Sequence, residues 1–208
     1  VSEEIEKYST IHSESESELL KKLYRETHLN VLNPRMISGP LQGRILSFIS
    51  KIINPNKILE IGTFTGYSTL CLAEGLKKNG TIQTIEKNDE LIEIQNKYFE
   101  KSSYRKNIFQ LTGNALQILP TLNEKYDLIF LDADKKNYLT YLDLLIPKLK
   151  RKGILMTDNV LWNGKVLNKV KDKDSQIIDN YNKKVNSDKR LNSVMLPIRD
   201  GITFSMKI

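Results

Sequence analysis

Apolar and polar positions follow two rhythms along this chain, and the rhythm changes near Lys57. Upstream, Leu19, Leu20 and Leu23 recur at helical spacing and predict a helix over residues 13–27. Leu41, Ile45, Leu46, Phe48 and Ile49 predict a second over residues 41–53. From Lys57 onward, short apolar runs alternate with helical stretches. KILEIG, TIQTIE, NIFQL, YDLIFLD and GILMTD read as strands; residues 67–77, 89–99, a short piece near Ala115 and residues 138–149 read as the helices between them. Strands that alternate with helices are parallel, because each helix carries the chain back to the same end of the sheet. A polar helix over residues 175–185 leads into two last strands, residues 191–197 and 201–207. The turn of Arg199, Asp200 and Gly201 between them is too tight for anything but antiparallel pairing. The expected architecture is α/β: a doubly wound, mostly parallel seven-stranded sheet ending in an antiparallel hairpin. It is expected as a single domain over residues 1–208, with N-terminal helices over 1–53 and the core over 57–208.

Composition narrows the class without changing that picture. A chain of 208 residues suits one core. A hydrophobic content of 39% with 27% charged residues lies away from the disordered range. No apolar run approaches the ~18–20 residues that span a bilayer, and the acidic opening VSEEIEKYST lacks a signal-peptide layout, so a cytoplasmic protein with no membrane partner is expected. The single cysteine, Cys71, sits in TLCLAEGL and is expected to be a buried small hydrophobe. The net charge of +7 would help an anionic partner approach. Its excess is spread over positions such as Lys148, Lys150, Arg151 and Lys152, and the densest basic run, residues 165–173, is diluted by Asp172.

Sheets of this kind bind ligands beyond the carboxyl ends of their strands. After the first strand, ILEIGTFTGYS brackets a turn with Gly62 and Gly66, and Phe64 stands where a dinucleotide-binding G-x-G-x-x-G would place its second glycine. With Glu60 ahead of the turn, the pattern suits a ligand with an amino-acid end better than one with phosphates; an ordinary glycine turn is the alternative. Glu86, twenty residues after Gly66, ends the second strand, where a carboxylate can accept the two hydroxyls of a ribose. Gly113-Asn114-Ala115 after the third strand could face an adenine ring, or serve only to start a helix.

The next two strand ends carry oxygen donors. LDADKKNY presents Asp132, and TDNVLW presents Asp158 and Asn159. Three hard donors with two negative charges suit Mg²⁺ or a similar cation, with positions left for water and substrate. Helix capping by isolated acidic residues is the alternative. Lys135, three residues after Asp132, could act there as a general base on a hydroxyl beside the cation; otherwise it is a surface lysine.

With these motifs in order, LEIGTFTGYS, TIEKN, GNAL, FLDADKKNY, TDNVLW and the closing DGI, the chain resembles the metal-dependent O-methyltransferases that include the catechol and caffeoyl-CoA enzymes, in their small bacterial branch. The resemblance covers about residues 34–208 and implies a Rossmann-like class I methyltransferase fold. It implies S-adenosylmethionine bound by Met36, Gly39, Glu60, Gly62, Ser68, Glu86, Ala115 and Asp132. It implies Mg²⁺, or Mn²⁺ or Ca²⁺, on Asp132, Asp158 and Asn159, with Lys135 and Asp132 catalytic and Tyr138 and Trp162 walling the substrate pocket. Ala133 follows the first metal aspartate as in the caffeoyl-CoA branch, and Asp200 is the candidate for an acidic substrate contact. A homodimer and a small-molecule acceptor with vicinal oxygens, such as a catechol, are implied; the competing acceptor is the oxygen of a wobble 5-hydroxyuridine in tRNA. A nicotinamide-dependent oxidoreductase is disfavoured by Phe64.

Overall fold

The computed structural model describes residues 3–208, which gather into two compact units meeting in sequence at Ala115 and Leu116. Seven strands lie in the order β3-β2-β1-β4-β5-β7-β6, the doubly wound order expected, and every strand named above is present.

The first unit begins with α1 (Glu3–Ile11), which buries no side chain and leaves Ile5, Tyr8 and Ile11 exposed. Next, α2 (Glu18–Asn30) starts later than expected because Ser17 caps it, its hydroxyl accepting the Leu20 N–H at 3.3 Å. Then follow α3 (Pro40–Ile53), β1 (Lys57–Ile61), α4 (Tyr67–Ala73), β2 (Thr81–Glu86), α5 (Ile92–Glu100) and β3 (Ile108–Thr112). The β1–β2 and β2–β3 pairs are parallel, with Ile61 opposite Ile85 and Ile85 opposite Leu111. All seven residues of α4 are buried, and it ends four residues short of expectation. Gly75 follows at a close approach to α3, where a Cβ would lie 2.1 Å from the Ser50 carbonyl carbon. Between α3 and α4 the Arg44 guanidinium forks onto Glu74 with two 2.9 Å hydrogen bonds and touches Cys71 at 3.6 Å. Cys71 is fully buried, as expected, and burial pushes its thiol well up.

The second unit holds β4 (Tyr126–Leu131), α7 (Tyr138–Leu145), β5 (Leu149–Asp158), α8 (Lys173–Ser187), β6 (Leu191–Leu196) and β7 (Ile202–Lys207), with the single turn α6 (Ala115–Ile118) at the boundary. β4 and β5 are parallel, whereas β7 runs antiparallel to β5 and β6. β5 starts at Leu149 and not at Gly153: Leu149 pairs Tyr126, the ladder shifts over the polar Lys150, Arg151 and Lys152, and regular pairing resumes at Ile154. The basic stretch hid that beginning. Among the described residues no helix is long and apolar enough to cross a membrane.

Candidate active site

The candidate residues fall at the carboxyl ends of the parallel strands in each unit. In the first, Glu60 on β1 is fully buried, its Oε2 accepting from the Thr84 hydroxyl at 2.6 Å and from the Thr69 hydroxyl. Hydroxyls from α4 and β2 thus hold its carboxyl group next to the turn that Gly62 opens. Glu86 ends β2 and fixes that same turn from the other side: Oε2 accepts the Phe64 N–H at 2.7 Å and Oε1 the Asn88 N–H at 2.9 Å. The Phe64 carbonyl in turn accepts from Gln95 Nε2 at 2.6 Å. Phe64 lies at φ +49°, in the left-handed region, so a phenylalanine holds a conformation that a glycine usually supplies. Ser68 is buried in the first turn of α4, and Ala115 is buried at the start of α6. Met36 is exposed at the end of a 3-10 turn (Pro34–Met36), and Gly39, at φ +78°, caps α3.

In the second unit Leu131 and Thr157 are ladder partners, so Asp132 and Asp158 leave neighbouring strands at the same level. Asp158 is buried, its Oδ1 accepting the Asn159 N–H at 2.8 Å, and Asn159 turns the chain at φ +58°. Lys135 lies in a 3-10 turn (Lys135–Asn137) and donates at 2.8 Å both to Asp132 Oδ1 and to the Tyr138 hydroxyl. Tyr138, at the start of α7, donates onward to the Asp158 carbonyl at 3.0 Å. It is fully buried beneath these groups, so it backs them and offers no open pocket wall. Burial first, then the charges of Asp132 and Asp158, pushes its phenol well above the ordinary value. The bridging role has no sequence signal beyond the three-residue steps from Asp132 to Lys135 to Tyr138.

Trp162 is half-buried in the segment after Asn159, which the hairpin turn holds: Leu161 N–H donates to the Asp200 carbonyl at 2.8 Å, and Asn163 N–H to its carboxylate. Asp200 thus acts as a clamp on that segment. Among the described residues no three His, Cys, Asp or Glu side chains gather as a metal site, and the set expected from the sequence is two aspartates and an asparagine. The ladder sets Asp132 and Asp158 at one level, with Asn159 following directly, and three oxygen donors without His or Cys suit a hard divalent cation better than zinc.

A profile of the O-methyltransferase family matches residues 10–208. This chain belongs to the O-methyltransferase family. It is 34% identical over 205 residues to a caffeoyl-CoA O-methyltransferase of Stellaria longipes, covering 93% of this chain and 85% of that protein. Against caffeoyl-CoA O-methyltransferase 1 of Nicotiana tabacum the identity is 36% over 206 residues, covering 93% and 86%. Among solved structures, an SAH-bound methyltransferase of Podospora anserina superposes with a TM-score of 0.91 at 26% identity, over 99% of this chain and 94% of that one. An O-methyltransferase from Bacillus cereus, in complex with SAH, gives 0.89 at 25% identity, over 99% and 97%. The O-methyltransferase fold and family inferred from the motif series are thereby established.

Proposed function

We propose that this O-methyltransferase takes its methyl group from S-adenosylmethionine and delivers it to an oxygen held beside a divalent metal ion, on a small cytoplasmic acceptor with vicinal oxygens such as a catechol. The observation that carries the reading is the paired ends of β4 and β5, which set Asp132 with its Lys135 partner level with Asp158. The caffeoyl-CoA names of the relatives support an ortho-oxygenated aromatic acceptor.

Bound S-adenosylmethionine supplies a methyl group on a sulfonium, whose departure as a neutral thioether requires no covalent nucleophile from the protein. Glu86, already anchored by two backbone N–H groups, keeps a free direction on each oxygen for ribose hydroxyls. Gly62, Ser68 and Ala115 leave room for the cofactor, Met36 and Gly39 cover its amino-acid end, and the buried Glu60 balances its positive charge. A divalent cation supplies charge that lowers the pKa of an adjacent hydroxyl; Asp132, Asp158 and Asn159 would hold it. Lys135 Nζ would act as general base in its neutral amine form, after its ammonium has released a proton to solvent, and would take the acceptor's proton as the new C–O bond forms and the methyl–sulfur bond breaks. Positioning of the two reactants contributes most of the acceleration, up to roughly 7–11 kcal/mol in well-oriented systems. Trp162, on its clamped segment, flanks the acceptor.

Two of the four lysines in the basic run of residues 165–173 form ion pairs, Lys165 with Asp172 at 3.3 Å and Lys171 with Asp179 at 3.5 Å, so the run is only partly neutralised and an RNA acceptor is the second reading. Transfer of labelled methyl from S-adenosylmethionine to catechol, and in parallel to undermodified bacterial tRNA, decides the acceptor class. Labelled catechol with unlabelled tRNA is expected; labelled tRNA alone overturns the small-molecule assignment.

A further inference from the structure

We infer that Tyr138 is a positioning residue, whose hydroxyl holds the Lys135 ammonium in place against the end of β5. The inference rests on the functional reading above for its consequence in catalysis, while its structural content stands on hydrogen bonds alone. The phenol oxygen accepts from Lys135 Nζ and donates its one proton to the Asp158 backbone carbonyl, so its orientation is fully determined. Through it, a flexible lysine side chain on one strand end is tied to the backbone of the neighbouring strand end. Lysine carries about 2 kcal/mol of rotamer entropy, and Asp132 alone, through one oxygen at 2.8 Å, restrains it from a single direction. The second tether from Tyr138 defines where the nitrogen stands. The phenol ring is itself fixed, packed edge-on against Tyr181 with ring centroids 5.3 Å apart, and Tyr181 is held by Thr157 at 2.6 Å. A buried tyrosine in a purely structural role would need one partner for its hydroxyl; this one joins the candidate base to the strand carrying Asp158.

Tyr138→Phe keeps the ring and removes only the tether. Lys135 is followed by ¹H–¹⁵N correlation of lysine ammonium groups in metal-free protein, its signal identified by its loss in Lys135→Arg. Wild type should show a slowly exchanging Lys135 ammonium, broadened beyond detection in Tyr138→Phe. The variant's kcat should fall roughly ten- to a hundredfold, the scale of one lost hydrogen bond to a charged group, with the KM for S-adenosylmethionine within twofold of wild type. Tyr181→Phe serves as the control for packing and stability, since its hydroxyl meets Thr157 and not Lys135; it should leave the ammonium signal in place. An unchanged Lys135 signal or an unchanged kcat in Tyr138→Phe overturns the positioning role. Failure of wild type to transfer any methyl group overturns the functional reading instead, and the ammonium comparison still reports on the tether.

Discussion

The Phe64 N–H donates to Glu86 at 2.7 Å, tying the turn after β1 to the end of β2. One carboxylate therefore shapes the glycine turn, and the proposed function gives the same group the ribose hydroxyls of the cofactor. Because its two oxygens accept from two different backbone N–H groups, glutamine cannot replace it: the amide has one acceptor oxygen, and its NH₂ would face a second donor. Glu86→Gln should raise the dissociation constant for S-adenosylmethionine at least tenfold, read by calorimetric titration. An affinity within twofold of wild type would remove Glu86 from the cofactor site.

Gly66 combines a left-handed backbone, φ +91°, with a Phe99 ring carbon 2.5 Å from where its Cβ would stand. Gly66→Ala should lower stability by about 1–3 kcal/mol, from backbone strain and overpacking together. Phe99→Leu in the same chain relieves the overpacking, so the double variant should be less destabilised than the sum of the two single changes. Thermal unfolding of the four proteins checks this; strict additivity would contradict it.

The sheet was legible because its strands are apolar runs of the expected length bounded by Gly, Asn and Asp, and β2 matches residue for residue. The candidate ligands were legible for the same reason, as acidic residues that follow such runs directly. What escaped was structure that buries little or is mostly polar. α1 buries nothing, and the first half of β5 is a polar stretch containing a register shift. Contacts distant in sequence escaped too: nothing local announces that Thr84 and Thr69 enclose Glu60, or that Gln95 holds the Phe64 carbonyl. Tyr138 was expected as a pocket wall because its position follows the motif, but burial under Lys135 gives it another part.

Arg44, buried, and Glu74, half-buried, form an ion pair in the first unit. Burial alone would raise the Glu74 carboxyl, but hydrogen bonds from Arg44 and Ser47 and the charges of Arg44 and Lys51 outweigh it and hold the carboxyl below its ordinary 4.5. A folded value below the unfolded one means that this stability is present above pH 4.5 and is lost as pH falls through the folded value. Glu74→Gln should cost about 1.5–3 kcal/mol at neutral pH, leaving Arg44 only the more distant carboxylate of Glu14 at 3.8 Å. Urea unfolding at pH 7 and pH 3 should show the gap between variant and wild type closing in acid; a gap of equal size at both would contradict the pairing.

Methyl transfer to catechol by chelator-treated protein, followed by addition of Mg²⁺, tests most directly whether Asp132, Asp158 and Asn159 form a metal centre that acts with Lys135. The proposed function predicts that transfer ceases in chelator and returns with Mg²⁺, and that Asn159→Ala needs at least tenfold more Mg²⁺ for half-maximal recovery. Transfer that continues undiminished in chelator, and equally in Asn159→Ala, would contradict it and leave the three side chains as residues that only shape the ends of β4 and β5.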